Sequence, residues 1–332
     1  VRLIEMNAAP ASLTYYPDNR PGIRRERKGR GFSYIAPDGT RISRGAERQR
    51  IESLAVPPAY ENVWICPKPN GHLQATGYDV RERKQYRYHP DWTTFRSERK
   101  FERLADFGRC LPGIRRRVSK HLNLDAGEQG FAIAAVVAMM DCLSLRVGNP
   151  EYADENGTYG ATTLKSKHLR LQDHALHLNY VAKGNKKVMR QVGNRKLMET
   201  LQKLHDLPGA ELVTWIDEDG DARAVSSDQV NAWIQEATGQ PDLTAKTFRT
   251  WAGSVAALEA AAKADRVTIK GMSEAAAERL ANTPTIARTS YIHPAVIALA
   301  ETPEALQVEA EDLRGLRASE RKLLGLLDYW KG

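Results

Sequence analysis

Apolar residues fall at three- and four-residue intervals through most of the chain beyond Trp92. This spacing predicts helices over residues 101–107, 111–122, 131–147, 195–204, 229–238, 245–264, 274–281 and from 303 to the end. Gly148 directly follows the third of these and reads as its C-terminal cap. One stretch breaks the helical period. Residues 169–172, 175–183 and 187–192 are strand-like, and in the middle segment Leu176, Leu178 and Tyr180 alternate with His177, Asn179 and Val181. Gly184-Asn185 supplies a turn into the third segment, so a small antiparallel three-stranded sheet is expected.

Before residue 88 the pattern is different. Short runs are broken by turn-forming clusters, PDNRPG, APDGT, VPPAY and CPKPNGH, with strand-like pieces at 31–35 and 62–65 and one helix over 45–54. The segment RERKQYRYHPDW (81–92), with its proline at 90, marks the candidate boundary. The expected fold is therefore α+β. A small β-rich domain over residues 1–88 precedes a mainly helical domain over 89–332 that holds the three-stranded sheet.

Composition narrows the partner. The 332 residues carry a net charge of +8. Residues 1–100 hold 19 Lys and Arg against 11 Asp and Glu, and the rest of the chain holds 30 of each, so the whole excess lies in the first third. A basic end on a neutral remainder suits a polyanion, since neutralising phosphates releases counterions. The Arg24, Arg25, Arg27, Lys28, Arg30 run reads as a solvated, partly disordered face, with enclosure of nucleic acid as a second reading. The longest apolar run, 131–140, is about half of the roughly 20 residues that span a bilayer, so no membrane partner is expected. The opening residues lack the basic-then-apolar order of a signal peptide. Cys66, Cys110 and Cys142 are odd in number and widely spaced, which suggests reduced thiols in a cytoplasmic setting.

Cofactor signals are weak. The chain has no Walker-type phosphate loop. The acidic stretch from Asp217 to Asp221 lacks the closing glutamate of a calcium loop and lies between strand-like runs, so it reads as a hairpin turn. Neither a metal nor a cofactor is expected. What remains is a scattered set of cations and a tyrosine. Breaking a phosphodiester with such groups needs a nucleophile, fixed cations for the charge growing on the non-bridging oxygens, and a proton donor for the departing oxygen. Arginine suits the second task because its planar fork stays charged and grips phosphate bidentately. Lysine suits the third. A phenol suits the first when the step must reverse, because it leaves more readily than an alcohol.

The residues that carry these roles resemble a known family. The runs LSLRVGNPEYADENGTYGATTL (143–164), TAKTFRTWAG (244–253) and LANTPTIARTSYIHP (280–294) are similar to the type IB DNA topoisomerases of bacteria and poxviruses, and RERKQYRYHPDW resembles their domain junction. The resemblance spans roughly residues 20–300 in consistent order. It implies that Arg146 and Arg249 clamp the scissile phosphate, Lys183 protonates the 5′ oxygen, Asn282 hydrogen-bonds a non-bridging oxygen, and Tyr291 is the nucleophile. Lys246 matches a lysine that assists the leaving group, and Tyr152 a phosphate contact. Gln85, Tyr86 and Tyr88 match residues facing the major groove, and Arg83 and Lys84 of the same segment are expected to bind DNA with them. The lysine hairpin reads VAKGNKKV, so Lys186 and Lys187 compete with Lys183. Asn149 stands where poxvirus enzymes have lysine. His293, in the recurring YIHP run, is expected to be structural, and His168 and His174 to be surface or connecting residues.

The implied activity is relaxation of supercoiled duplex DNA through a 3′-phosphotyrosyl intermediate, without ATP or an obligatory metal, by a monomer that clamps DNA at the nucleoid. A tyrosine recombinase is the alternative enzyme. Recombinases usually show His-x-x-Arg where this chain has Lys246-Thr247-Phe248-Arg249, and they begin with a helical domain. A non-catalytic basic DNA-binding protein is the third reading.

Overall fold

The computed structural model describes residues 10–172 and 175–331. The chain divides into two compact units, 1–100 and 101–332, so the helix that follows the 81–92 segment begins within the first unit.

The first unit is built on one antiparallel sheet of six strands: β1 (Ile23–Lys28), β2 (Gly31–Ile35), β3 (Arg41–Ile42), β4 (Glu61–Ile65), β5 (Leu73–Tyr78) and β6 (Lys84–Tyr88), in the order β3-β2-β1-β4-β5-β6. Helix α1 (Ala46–Ser53) closes one face, where Ile23, Tyr34, Ile51, Val63, Ile65 and Ala75 form the core. The arginine-rich run is not a disordered face. It is β1, paired on one side with β2 and on the other with β4. Arg25 shows why charge did not prevent this: its guanidinium donates to the carbonyls of Val56, Pro57 and Tyr60 and stacks 4.2 Å from the Phe32 ring. Helix α2 (Pro90–Glu102) buries Trp92 to 2% exposure.

In the second unit, α3 (Leu104–His121) and α4 (Gln129–Leu143) lie at the centre. Residues 131–140 of α4 are buried on every side, as expected of a helix apolar all round. This helix ends at Leu143, four residues before its expected end, and Ser144, not Gly148, takes the left-handed conformation (φ 56°) that stops it. The following backbone has a different task, described below. A short helix α5 (Pro150–Asn156) leads to the sheet β7 (Leu169–Gln172), β8 (Ala175–Ala182) and β9 (Lys186–Val192), ordered β7-β8-β9 and antiparallel as expected. His168, in the turn before β7, is buried. Its Nδ1 accepts the Lys165 N–H, while burial first and the nearby Lys167 and Lys165 charges next bring its pKa down to about 4. His174 lies outside the described residues.

Helix α6 (Arg195–His205) follows, and then β10 (Thr214–Ile216) and β11 (Ala222–Ala224) pair around the acidic turn. Among the described residues, no group of His, Cys, Asp and Glu side chains is placed to hold a metal ion. Helix α7 (Ser227–Thr238) begins at a capping box in which Ser226 and Gln229 satisfy each other's backbone N–H groups. The long α8 (Ala245–Lys263) packs against α9 (Ile269–Leu280) and α10 (Pro284–Tyr291), then α11 (Pro294–Ala298) and α12 (Ala318–Lys331) complete the unit. The stretch from Pro303 on is not one helix but a single 3₁₀ turn, an irregular segment and α12. Arg115 anchors α12, binding Asp141 of α4 and Glu320 of α12 at 2.7–2.9 Å.

Candidate active site

Four segments far apart in sequence meet in the second unit. The first is the loop after α4. The Arg146 carbonyl accepts the Ala161 N–H at 2.8 Å and the Val147 carbonyl accepts the Thr162 N–H at 2.7 Å, which pins residues 146–148 against 160–162. The approach is so close that a Cβ at Gly160 would stand 2.6 Å from the Gly148 backbone. Held this way, Arg146 extends its guanidinium to Asn282 and donates to Oδ1 at 3.3 Å.

The second segment is α8. Its Arg249 is only 4% exposed, with Nη1 donating to the Ser144 carbonyl at 2.6 Å and Nη2 to the Leu280 carbonyl at 2.8 Å. Burial, and then the neighbouring Arg146 charge, pull its pKa down to about 10, so it remains a cation at neutral pH. Its Nε and the Nδ2 of Asn282 are buried donors without an acceptor among the described residues. The acceptors that Arg146 and Arg249 do have are neutral oxygens. Two adjacent guanidinium groups in that situation form a site for a divided anionic charge, which a phosphodiester supplies.

The third segment joins α9 to α10. Ala281 is left-handed (φ 47°), Asn282 returns its N–H to the Ala277 carbonyl, and Thr283 with Pro284 opens α10. Tyr291 is the last residue of α10 and is half-buried, with its ring 5.2 Å from the Arg249 guanidinium carbon. Its main chain is clipped to α8. The Ser254 hydroxyl donates to the Tyr291 carbonyl at 3.3 Å and accepts the His293 N–H at 2.9 Å. His293 itself is buried: its Nδ1 accepts the Ala295 N–H, capping α11, and its ring meets Phe101 edge-on at 5.3 Å. Those bonds make it a structural residue.

Gly253 sits where α8 touches this clip. A Cβ there would lie 2.8 Å from the Tyr291 carbonyl oxygen and 3.1 Å from its Cβ. Gly253→Ala is therefore expected to push the end of α10 outward, lowering stability by about 1–3 kcal/mol as overpacking does. The expected loss in single-turnover DNA cleavage is on the order of 10²-fold. A variant that cleaves at the normal rate would show that this contact does not place Tyr291.

The fourth segment is the β8–β9 hairpin. Ala182 pairs with Lys186, so the connection holds three residues, and Lys183 is in the turn rather than on the strand. Gly184 (φ 82°) and Asn185 (φ 58°) provide the left-handed conformations the turn requires. Lys183 and Lys187 are exposed. Lys246 is also exposed, one helical turn before Arg249.

The remaining expected DNA contacts belong to the first unit. Tyr86 and Tyr88 project from one face of the edge strand β6, are 50% and 38% exposed, and stack with centroids 6.1 Å apart. Lys84 shares that face but is bound to Asp18 at 2.6 Å. Gln85 alternates to the other side and donates to Asp79. Arg83 forms a two-point pair with the same carboxylate and holds it down at about 2. Gln85 and the tyrosines therefore do not share a face of β6. The side chain of Tyr152 lies outside the described residues.

Sequence reasoning missed Ser144, Gly253, Ser254 and the acceptor role of Leu280. A glycine inside a 19-residue helix was the one available signal, since it costs about 1 kcal/mol there and needs a packing reason.

Comparison with known proteins identifies the family. The model described as "Bacterial DNA topoisomerase IB, N-terminal domain" matches residues 31–79, and "Eukaryotic DNA topoisomerase I, catalytic core" matches residues 89–294. The chain is similar to the DNA topoisomerase 1B of Acanthamoeba polyphaga mimivirus, with 28% identity over 92% of this chain and 97% of that protein. It is also similar to the DNA topoisomerase 1B of Vaccinia virus, with 25% identity over 37% of this chain and 39% of that one.

Proposed function

The chain belongs to the type IB DNA topoisomerase family, and from that premise we propose that it relaxes supercoiled duplex DNA by reversible transesterification at Tyr291. The observation that carries the mechanism is the convergence of Arg146, Arg249 and Asn282 beside the Tyr291 ring. Arg146 and Arg249 bind the non-bridging oxygens of the scissile phosphate, and the Asn282 amide adds a neutral donor. As Tyr291 attacks phosphorus, charge grows on those oxygens, and donors already in place stabilise it without rearranging. Lys183 delivers the proton to the departing 5′ oxygen, and Lys246 assists from the first turn of α8.

The phosphotyrosyl bond retains the energy of the broken diester, so resealing needs no ATP. Torsion stored in the DNA does the work. The protein acts as a monomer enclosing the duplex, at the nucleoid of the cytoplasm, with Tyr86 and Tyr88 contributing contacts from the first unit and most affinity coming from phosphates.

The test is plasmid relaxation with EDTA and no nucleotide, followed by denaturation and peptide mapping of the covalent adduct. Relaxation of both positive and negative supercoils, with Tyr291 on a 3′ phosphate, is expected. Strict magnesium dependence or a 5′-linked adduct would overturn the reading.

A further inference from the structure

We propose that Lys186 is a positioning residue that ties the proton-delivering hairpin to the phosphate clamp, and that it is not itself the acid. The proposal rests on the reading above and assigns a role to a lysine whose place in the sequence leaves it a competitor of Lys183.

The register of the hairpin separates the three lysines. Ala182 pairs with Lys186, Tyr180 with Val188 and Leu178 with Arg190, so Lys186 and Arg190 share the face that carries the buried Leu178, Tyr180 and Ala182. Lys187 pairs with Val181 and points the opposite way, and Lys183 is in the turn. The Lys186 ammonium donates to the Asn282 carbonyl. Four residues along the same face, the Arg190 guanidinium donates to the carbonyls of Glu278 and Arg279 at 3.0 and 2.9 Å.

These acceptors lie at and just beyond the C-terminus of α9, where the helix dipole favours a cation; the Glu278 carbonyl also accepts the Ala281 N–H at 3.3 Å. Lys186 and Arg190 thus form a strap that caps α9 from the neighbouring strand. Asn282 is held from both ends, its carbonyl by Lys186 and its side-chain oxygen by Arg146. One continuous set of bonds therefore runs from the hairpin through Asn282 to the clamp.

One of the three N–H donors of the Lys186 ammonium is given to the Asn282 carbonyl, and that bond fixes the hairpin against the clamp. The two roles differ in a measurable way. A 5′-bridging phosphorothiolate leaves as a thiolate and needs no proton, so it restores a variant lacking the acid and leaves a misplaced clamp impaired. Single-turnover cleavage of both substrates should be measured for the full-length wild type, Lys183→Ala, Lys186→Ala and Lys186→Arg, with thermal melting of each.

Lys183→Ala is expected to be slow on the phosphodiester and close to wild type on the phosphorothiolate. Lys186→Ala is expected to lose on the order of 10²-fold on both substrates. Lys186→Arg, which can still donate to the Asn282 carbonyl, should recover most of that loss. Phosphorothiolate rescue of Lys186→Ala would make Lys186 the acid and overturn the proposal, as would wild-type rates for Lys186→Ala on both substrates. If Lys186→Ala melts early, failure of Lys186→Arg to recover cleavage once its melting is restored would also overturn it. A wild type that forms no adduct with either substrate would instead refute the topoisomerase reading itself.

Discussion

Tyr291→Phe is expected to abolish strand cleavage while leaving the fold and DNA binding unchanged. The substitution removes one oxygen. The ring that lies 5.2 Å from Arg249 is kept, so the cation–π contact survives. The clip to Ser254 also survives, because it uses the Tyr291 carbonyl and the His293 N–H and not the phenol. Helix α10 keeps its Thr283 cap. The expected loss in cleavage is on the order of 10⁴-fold or more, the scale seen when a covalent nucleophile is deleted. Adduct formation on a nicking or suicide duplex measures it, with filter binding and melting as controls. A variant that still relaxes plasmid would remove Tyr291 from the mechanism.

Arg249→Ala comes second, and here two effects oppose each other in stability but not in rate. Truncation leaves the buried Ser144 and Leu280 carbonyls without their donor, at about 1–3 kcal/mol for each buried group left unsatisfied. It also removes a cation whose burial, and then the nearby Arg146 charge, lower its pKa to about 10. A lowered pKa means that the folded state disfavours the charged form. This cost is present at neutral pH and diminishes only above pH 10, so removing the charge returns part of the stability. The melting temperature should therefore shift modestly. Cleavage has no such compensation and should fall about 10²- to 10³-fold, the loss of one preorganised phosphate donor. Arg249→Lys keeps a charge but cannot bridge two carbonyls and a phosphate, so it should recover little. Cleavage by Arg249→Ala within tenfold of wild type would dismiss the clamp.

How much of this was visible in the sequence depends on what kind of signal each part leaves. Helices α6 and α7 were legible because each is amphipathic, burying Leu197, Leu201 and Leu204 in the first and Val230, Trp233 and Ile234 in the second at helical spacing. β5 was not. Leu73 to Gly77 are all buried, so no alternation marks them, and β1 was obscured by arginines whose stems pack while their heads reach carbonyls. The residues that converge, Arg146, Arg249, Asn282 and Tyr291, were legible as residue types in order. The construction of the site was not, because Arg249 is aimed by the backbone oxygens of residues 144 and 280, and a carbonyl looks the same at every position. Lys183 moved from strand to turn for a related reason: register, which sets the turn length, is decided by how β8 and β9 pack, and Gly-Asn alone suggested a two-residue loop.

The clip between α8 and residue 291 bears on what happens after cleavage. In the proposed mechanism the phenol carries the DNA end, and that end would be moored to the same rod that carries Arg249, through a glycine contact and a serine bridge buried beneath it. Torque arriving along the strand is then taken up by a 19-residue helix packed in the core and not by a pliable loop. The broken end stays at its point of departure while the other end turns, and rejoining requires only that the free hydroxyl come back to a fixed address.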